Sequence, residues 1–238
     1  MEPSYKETLP QNAQALVDHI EQFAGVEIHV KVDPSRPVSP TDPNPNRPEL
    51  VFTATSAEIF LPTSNFSPHG IVHELLHTER YWLQGIPQVV PLDQNADNNW
   101  AITSSIENTL EHQVIVPRES AYGFDPYPYW AKTERALWAD YPWPWMTDPF
   151  SRRKNCLLGS VSVFNLTKDD DLIAHVRECL RKEGLLKEAV RFHKRMTDVL
   201  NNKEKMLRLT IQHLAIPKTD VRFLHLDVRA RQARHVAL

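Results

Sequence analysis

Proline, rather than glycine, most limits how this chain can fold. The 238 residues include 19 prolines and only 6 glycines. Six of the prolines lie within residues 34–48. A helix or a central strand is excluded there, because proline lacks the backbone N–H and fixes φ at about −65°. We therefore expect an exposed loop at 34–48 with regular elements on either side of it.

Local patterns predict the elements that flank this loop. Residues 11–24 place apolar side chains on one helical face and stop at Gly25, which is typical of a helix with a glycine C-cap. Residues 26–33 alternate apolar and polar side chains, as a half-buried strand does. Two short β runs, at 49–55 and 57–62, are close enough in sequence to predict a hairpin.

A helix at 68–84 has clear signals at both ends. Ser67 is a natural N-cap, Pro68 suits the first helical position, and Gly85 follows the last turn. A second helix is predicted from about Asn98 to Val116, where Pro117 would end it.

The C-terminal part is predicted to be mostly helical. Helices are indicated around 130–140, from Asp169 to Gly184, and at 185–202. Residues 205–214 and 221–228 both alternate apolar and polar side chains and could pair as strands. We expect an α+β fold, with one domain over 1–150 and a mostly helical extension over 151–238.

His73, Glu74 and His77 form an H-E-x-x-H motif within the helix at 68–84. Four residues make about one helical turn, so both imidazoles project from one face and can bind one metal ion. Glu74 lies about 100° further round the helix, where its carboxylate can reach a metal-bound water. The motif predicts a zinc-dependent hydrolase with His73 and His77 as ligands and Glu74 as the catalytic base. The alternative is that the two histidines simply pack in a helix-rich, histidine-rich protein.

Zinc held by two histidines needs a third protein ligand. The chain does not continue as H-x-x-G-x-x-H, which excludes the metzincin pattern. Glu107 and Glu111 lie one turn apart on the next predicted helix, and either can ligate the metal while the other supports a ligand histidine or the helix. Taken alone, each glutamate would be interpreted as part of a solvated acidic face. His69, one turn before His73, could be a ligand, a substrate contact or an ordinary residue of the first helical turn.

Over about residues 10–125, the order of predicted elements resembles the zincin fold. Glu107, followed four residues later by an acid, resembles the gluzincin pattern. Asn108 and the sequence VIVP at 114–117 are similar to the ImmA/IrrE-like metallopeptidases, although Ile106, Glu107 and Asn108 stand where that group has Glu-Ala-Asn.

The resemblance implies an N-terminal helix, a small twisted sheet, the H-E-x-x-H helix and a second ligand helix. It implies Zn²⁺ bound by His73, His77 and a glutamate, and peptide hydrolysis with Glu74 as the base. An additional hydrogen-bond donor would come from Tyr81, His112 or Tyr122. The strand at 57–62 would be an edge strand along which an extended peptide could pair.

Composition limits the compartment and the partners. The formal net charge of −3 argues against a dedicated nucleic-acid binder. No apolar run of about 18 residues exists, and the polar N-terminal residues lack the apolar core of a secretory signal. Only Cys156 and Cys179 occur, so a reducing, cytoplasmic setting is expected.

We therefore expect a cytoplasmic metallopeptidase that acts on a protein or peptide and has no membrane partner; no oligomeric state is predicted. The alternative is a non-catalytic binding or regulatory module on a degenerate zincin scaffold. In such a module a fourth protein ligand, such as His69 or His112, would close the metal site.

Overall fold

The computed structural model describes residues 1–35, 48–62, 66–93, 97–144 and 146–238, with the backbone alone at 97–99. Apart from residues 34, 35 and 48, the predicted proline loop lies outside the described residues. The fold is α+β, as predicted. The α-helices in the described ranges are α1 (Pro3–Lys6), α2 (Gln11–Ala24), α3 (Pro68–Thr78), α4 (Asp97–Glu119), α5 (Tyr127–Ala139), α6 (Pro149–Leu166), α7 (Asp170–Lys182), α8 (Leu186–Thr197) and α9 (Lys203–His213). The strands are β1 (Ile28–Val32), β2 (Glu49–Phe52), β3 (Ala57–Leu61), β4 (Gln88–Pro91), β5 (Val221–Asp227) and β6 (Gln232–Val236).

The first sheet has the strand order β1-β3-β2. The predicted hairpin is confirmed, since β2 pairs antiparallel with β3. On its other side β3 pairs parallel with β1, with Val30 opposite Ile59. The expectation that this strand is an edge strand is therefore wrong: β3 is central, and β1 and β2 are the edges of the described sheet. Alternate residues of β3 (Ala57, Ile59 and Leu61) are buried.

The helices that flank this sheet were predicted from local signals. Gly25 ends α2 in the left-handed region, with φ of 63°, as a glycine C-cap should. The predicted helix at 68–84 is present as α3 followed by a π-helical turn at Glu79–Leu83. Gly70 of α3 lies so close to Pro48 that a Cβ atom there would be 2.6 Å from Pro48 Cγ. Only glycine fits this contact.

α4 does not end where the sequence predicted. Pro117 lies inside the helix, which continues to Glu119 and then a 3₁₀ turn at Ser120–Tyr122. Proline costs the helix one backbone hydrogen bond. Side-chain contacts compensate in the last turn, where Arg118 pairs with Glu79 and Glu119 bonds to two histidines.

The C-terminal part is mostly helical, as predicted, but its end was left ambiguous by the sequence. Lys203–His213 is the helix α9, so residues 205–214 do not form a strand. β5 instead pairs antiparallel with β6 in a second sheet of order β4-β5-β6. α6 was not predicted. No helix in the described part of the chain combines the length and the apolar character needed to cross a bilayer.

Contacts group the residues into two units, neither of which is continuous in sequence. The first has a core that includes Ile28, Ile59, Ile71 and Leu75, and the second a core that includes Trp138 and Phe192. The first unit comprises Met1–Gln88, Arg118–Asp125 and Phe223–Val236, and the second comprises Val89–Pro117, Pro126–Arg222 and Ala237–Leu238. The predicted boundary between residues 150 and 151 falls inside α6. A division into independently folding domains at that point stays a prediction.

Candidate metal centre

The H-E-x-x-H motif lies entirely on α3, as its helical signals predicted. His73 and His77 are one turn apart, and their ring centroids are 5.0 Å from each other in an edge-to-face arrangement. The opposite face of α3 carries Ile71 and Leu75, which are fully buried. Core packing of that face fixes the side of the helix from which the two imidazoles project.

A third histidine joins this pair. His112 lies on α4, 4% exposed, with its ring centroid 4.5 Å from that of Trp130. One ligand atom from each of His73, His77 and His112 lies within 4.8 Å of the other two. Among the described residues, these three are the group of His, Cys, Asp and Glu side chains that could hold a metal ion.

The last turn of α4 adds a buried carboxylate to the histidines of α3. Oε1 of Glu119 lies 2.7 Å from Nδ1 of His73, and Oε2 bonds to Nε2 of His69. The side chain of Glu119 is only 1% exposed. Burial alone would raise the pKa of Glu119, but hydrogen bonds from His69 and His73 hold that pKa below its usual value. Glu119 is therefore an anion that accepts from both imidazoles.

His69 has a defined place in this arrangement. Its ring stacks on Phe124, with centroids 4.7 Å apart and an interplanar angle of 6°. The sequence left three roles open for His69. In the structure His69 has a further one, since its ring contacts Glu119 and is not part of the three-histidine group.

The structure does not bring Glu107 or Glu111 into the histidine group. Oε2 of Glu107 and Oε1 of Glu111 lie 2.9 Å and 2.8 Å from Nζ of Lys203. Glu107 also accepts a hydrogen bond from the backbone N–H of Val89. Positions 107 and 111 share one face of α4, whereas 112 and 119, two turns apart, share another. On this second helix the histidine next to Glu111, His112, is the residue that joins the group on α3, and the two glutamates pair with Lys203.

The remaining predicted residues also have clear positions. Glu74 is 5% exposed and lies on α3 next to His73. Tyr81 is buried, with its ring parallel to that of His77 at a centroid distance of 6.2 Å. Burial and the nearby carboxylate of Glu79 raise the pKa of Tyr122, which keeps its hydroxyl protonated at neutral pH. Which of Tyr81, His112 and Tyr122 supplies the additional donor stays a prediction.

Sequence reasoning missed Glu119 and considered His112 only as a donor or a closing ligand. A signal for both exists: they are seven residues apart, which places them on one helical face. This spacing was not informative in the sequence analysis, because the helix was predicted to end at Pro117 and Glu119 would then lie outside it.

Comparisons with known proteins give no further constraint, since no family model, no curated protein and no solved structure matches this chain.

Proposed function

We propose that this chain is a zinc-dependent peptide hydrolase in which His73, His77 and His112 hold the metal. The observation that carries the proposal is the approach of three imidazole nitrogens to within 4.8 Å of one another. The donor set fits zinc, because imidazole is a preferred zinc ligand and three protein ligands leave one coordination position for water or substrate. The fit is better with His112 than with either glutamate, since both glutamates already neutralise Lys203.

Glu74 is the proposed base. It follows directly after the first ligand on α3, and its burial keeps the carboxylate away from bulk water. In this role Glu74 takes a proton from the attacking water and returns it to the leaving amine. Zinc, when bound, would lower the pKa of water and polarise the scissile carbonyl.

The zincin-like and ImmA/IrrE-like resemblance is part of the same proposal. It is supported by the sequence of elements from α2 through the β1-β3-β2 sheet to α3 and α4. A peptide substrate that extends the described sheet would add to β2. The other edge strand, β1, is less suitable, because the N–H groups of Ile28 and Val30 already donate to the carboxylates of Glu21 and Glu2. A cytoplasmic location stays a prediction.

Metal content and hydrolysis, measured together, test the proposal. We expect about one zinc per chain by elemental analysis, and cleavage of a denatured protein or a mixed peptide library that stops when a chelator is added. Glu74→Gln should keep the zinc and lose the cleavage, because it removes only the proton acceptor. Glu178→Gln, an exposed glutamate of α7, is the matched control and should cleave normally. Absence of zinc, or full cleavage by Glu74→Gln, would refute the proposal.

The non-catalytic module is the other outcome of this experiment. In this module the metal is structural or lost. Of the two fourth ligands considered from the sequence, His69 is bonded to Glu119 and His112 belongs to the three-histidine group. Zinc binding without hydrolysis of any peptide would favour the module.

A further inference from the structure

We infer that Glu119 is a positioning residue that holds His73 as a metal ligand through Nδ1, with His69 as the second anchor of its carboxylate. The inference rests on the proposed metal site. It assigns a function to two residues, His69 and Glu119, that neither the H-E-x-x-H motif nor the three-histidine group includes.

The hydrogen bonds of Glu119 determine which nitrogen of His73 carries the proton. An ionised carboxylate can only accept, so His73 must donate from Nδ1, and Oε1 of Glu119 lies 2.7 Å from that atom. In a neutral imidazole with Nδ1 protonated, Nε2 is the unprotonated nitrogen that can act as a metal donor. A buried carboxylate at Nδ1 thus selects the tautomer and the ring orientation in which Nε2 binds a metal, and it increases the basicity of that nitrogen.

His69 completes the support from the other side. Its Nε2 bonds to the second oxygen of Glu119, so both carboxylate oxygens are held by histidines one turn apart on α3. Stacking on Phe124 fixes the plane of the His69 ring. Because both oxygens are held, rotation of the Glu119 carboxylate would break at least one of these hydrogen bonds, and the orientation of His73 is constrained in turn.

A second buried carboxylate on the same helix provides a matched control. Glu111 is eight residues before Glu119, is 0% exposed, and forms its ion pair with Lys203. Glu111→Gln and Glu119→Gln therefore both remove one buried charge from α4, but only the second changes a contact of His73.

Zinc affinity, measured by competition with a chromophoric chelator, is the first readout. We expect Glu119→Ala to weaken zinc binding about 10–100-fold, which is the usual effect of removing the outer partner of a ligand histidine. Glu119→Gln keeps an acceptor oxygen for Nδ1 and should fall between the wild type and Glu119→Ala. His69→Ala should weaken binding less than Glu119→Ala. Glu111→Gln should bind zinc within about twofold of the wild type.

The second readout does not need metal or activity. In zinc-free protein, ¹⁵N NMR of the imidazoles should show His73 protonated at Nδ1 in the wild type, and a mixture of tautomers in Glu119→Ala. If Glu119→Ala does not fold, Glu119→Leu, which is similar in size and has no acceptor oxygen, is used for both readouts.

The outcomes separate this inference from the proposed function. Unchanged zinc affinity and an unchanged His73 tautomer in the Glu119 variants overturn the inference, even if the wild type cleaves peptides. Weakened zinc binding in a protein that cleaves nothing supports the inference and removes the proposed hydrolase. If the wild type takes up no zinc, the metal site is wrong, and a His73 tautomer that does not depend on Glu119 would overturn the positioning role as well.

Discussion

Nζ of Lys203 lies 2.8 Å from Oε1 of Glu111, and both side chains are almost completely buried, at 1% and 0% exposure. Glu107 is the second carboxylate of this cluster, 2.9 Å from the same nitrogen. Burial raises the pKa of Glu107, and the positive charge of Lys203 opposes that rise. Charges this deeply buried are tolerated only while they remain paired. We therefore interpret this cluster as structural. It includes both of the glutamates that the sequence analysis named as candidate metal ligands.

Lys203→Met should destabilise the protein by about 3–5 kcal/mol, because it leaves two buried carboxylates without their cation. Urea unfolding followed by far-UV circular dichroism measures this change. Adding Glu107→Gln and Glu111→Gln to Lys203→Met should recover much of the loss, since no unpaired charge then remains. A triple variant as unstable as the single one would show that charge pairing is not the cause.

His112→Ala should reduce zinc affinity by more than the about 10–100-fold expected for a supporting residue, because it removes a ligand rather than the partner of a ligand. Glu107→Gln should leave the affinity nearly unchanged. Titration of zinc into each metal-free variant measures the difference. If Glu107→Gln weakens zinc binding more than His112→Ala does, Glu107 rather than His112 is the third ligand. His19→Ala, at an exposed histidine of α2, controls for nonspecific loss of an imidazole.

Glu134 should make stability fall as pH rises. Burial raises the pKa of Glu134 from 4.5 to about 8, and the nearby polar groups of Trp138 and Ser162 oppose the rise only in part. The folded state thus binds a proton that the unfolded state has lost, so the free energy of unfolding declines between about pH 4.5 and pH 8.

Glu134→Gln should abolish this part of the pH dependence. We expect the variant to resemble the wild type at pH 5 and to exceed its free energy of unfolding by about 1–3 kcal/mol at pH 9. Urea unfolding at the two pH values gives the comparison, with Glu178→Gln as the exposed control. Parallel pH profiles for the wild type and Glu134→Gln would contradict the assignment.

Gly70→Ala should destabilise the packing of α3 against Pro48. The added Cβ would lie 2.6 Å from Pro48 Cγ and 2.9 Å from Pro48 Cδ, distances that force the two backbones apart. We expect a cost of about 1–3 kcal/mol in thermal or urea unfolding, in spite of the higher helix propensity of alanine. Pro48→Ala in the same chain should relieve the clash and return most of this energy. If the double variant is no more stable than Gly70→Ala, the contact is not the source of strain.

Elements with local signals were predictable from sequence. Gly25 shows this for α2, because a left-handed C-cap is a property of one residue and its immediate neighbours. The same holds for α3, whose start at Pro68 and whose motif spacing can be read without knowledge of the rest of the chain. The hairpin of β2 and β3 also depends on a short stretch of sequence.

Features that depend on distant contacts were not predictable in the same way. The position of β3 between β1 and β2 follows from a parallel pairing that no adjacent turn encodes. Residues 205–214 alternate like a strand but fold as α9, where Met206, Leu207, Thr210 and Ile211 are buried. The part of the site on α3 was predicted from its motif, whereas the part on α4 depended on the helix passing Pro117.

Pro117 gives the final turn of α4 an unusual dependence on its surroundings. The proline cannot donate a hydrogen bond to the preceding turn, so the side-chain contacts of Arg118 and Glu119 matter more for the stability of the backbone that follows it. A change that breaks the contacts of His73 or His69 with Glu119 would therefore increase local opening of this last turn more than of the rest of the helix. Amide exchange at residues 118–120 would thus act as a reporter of whether the histidines are engaged.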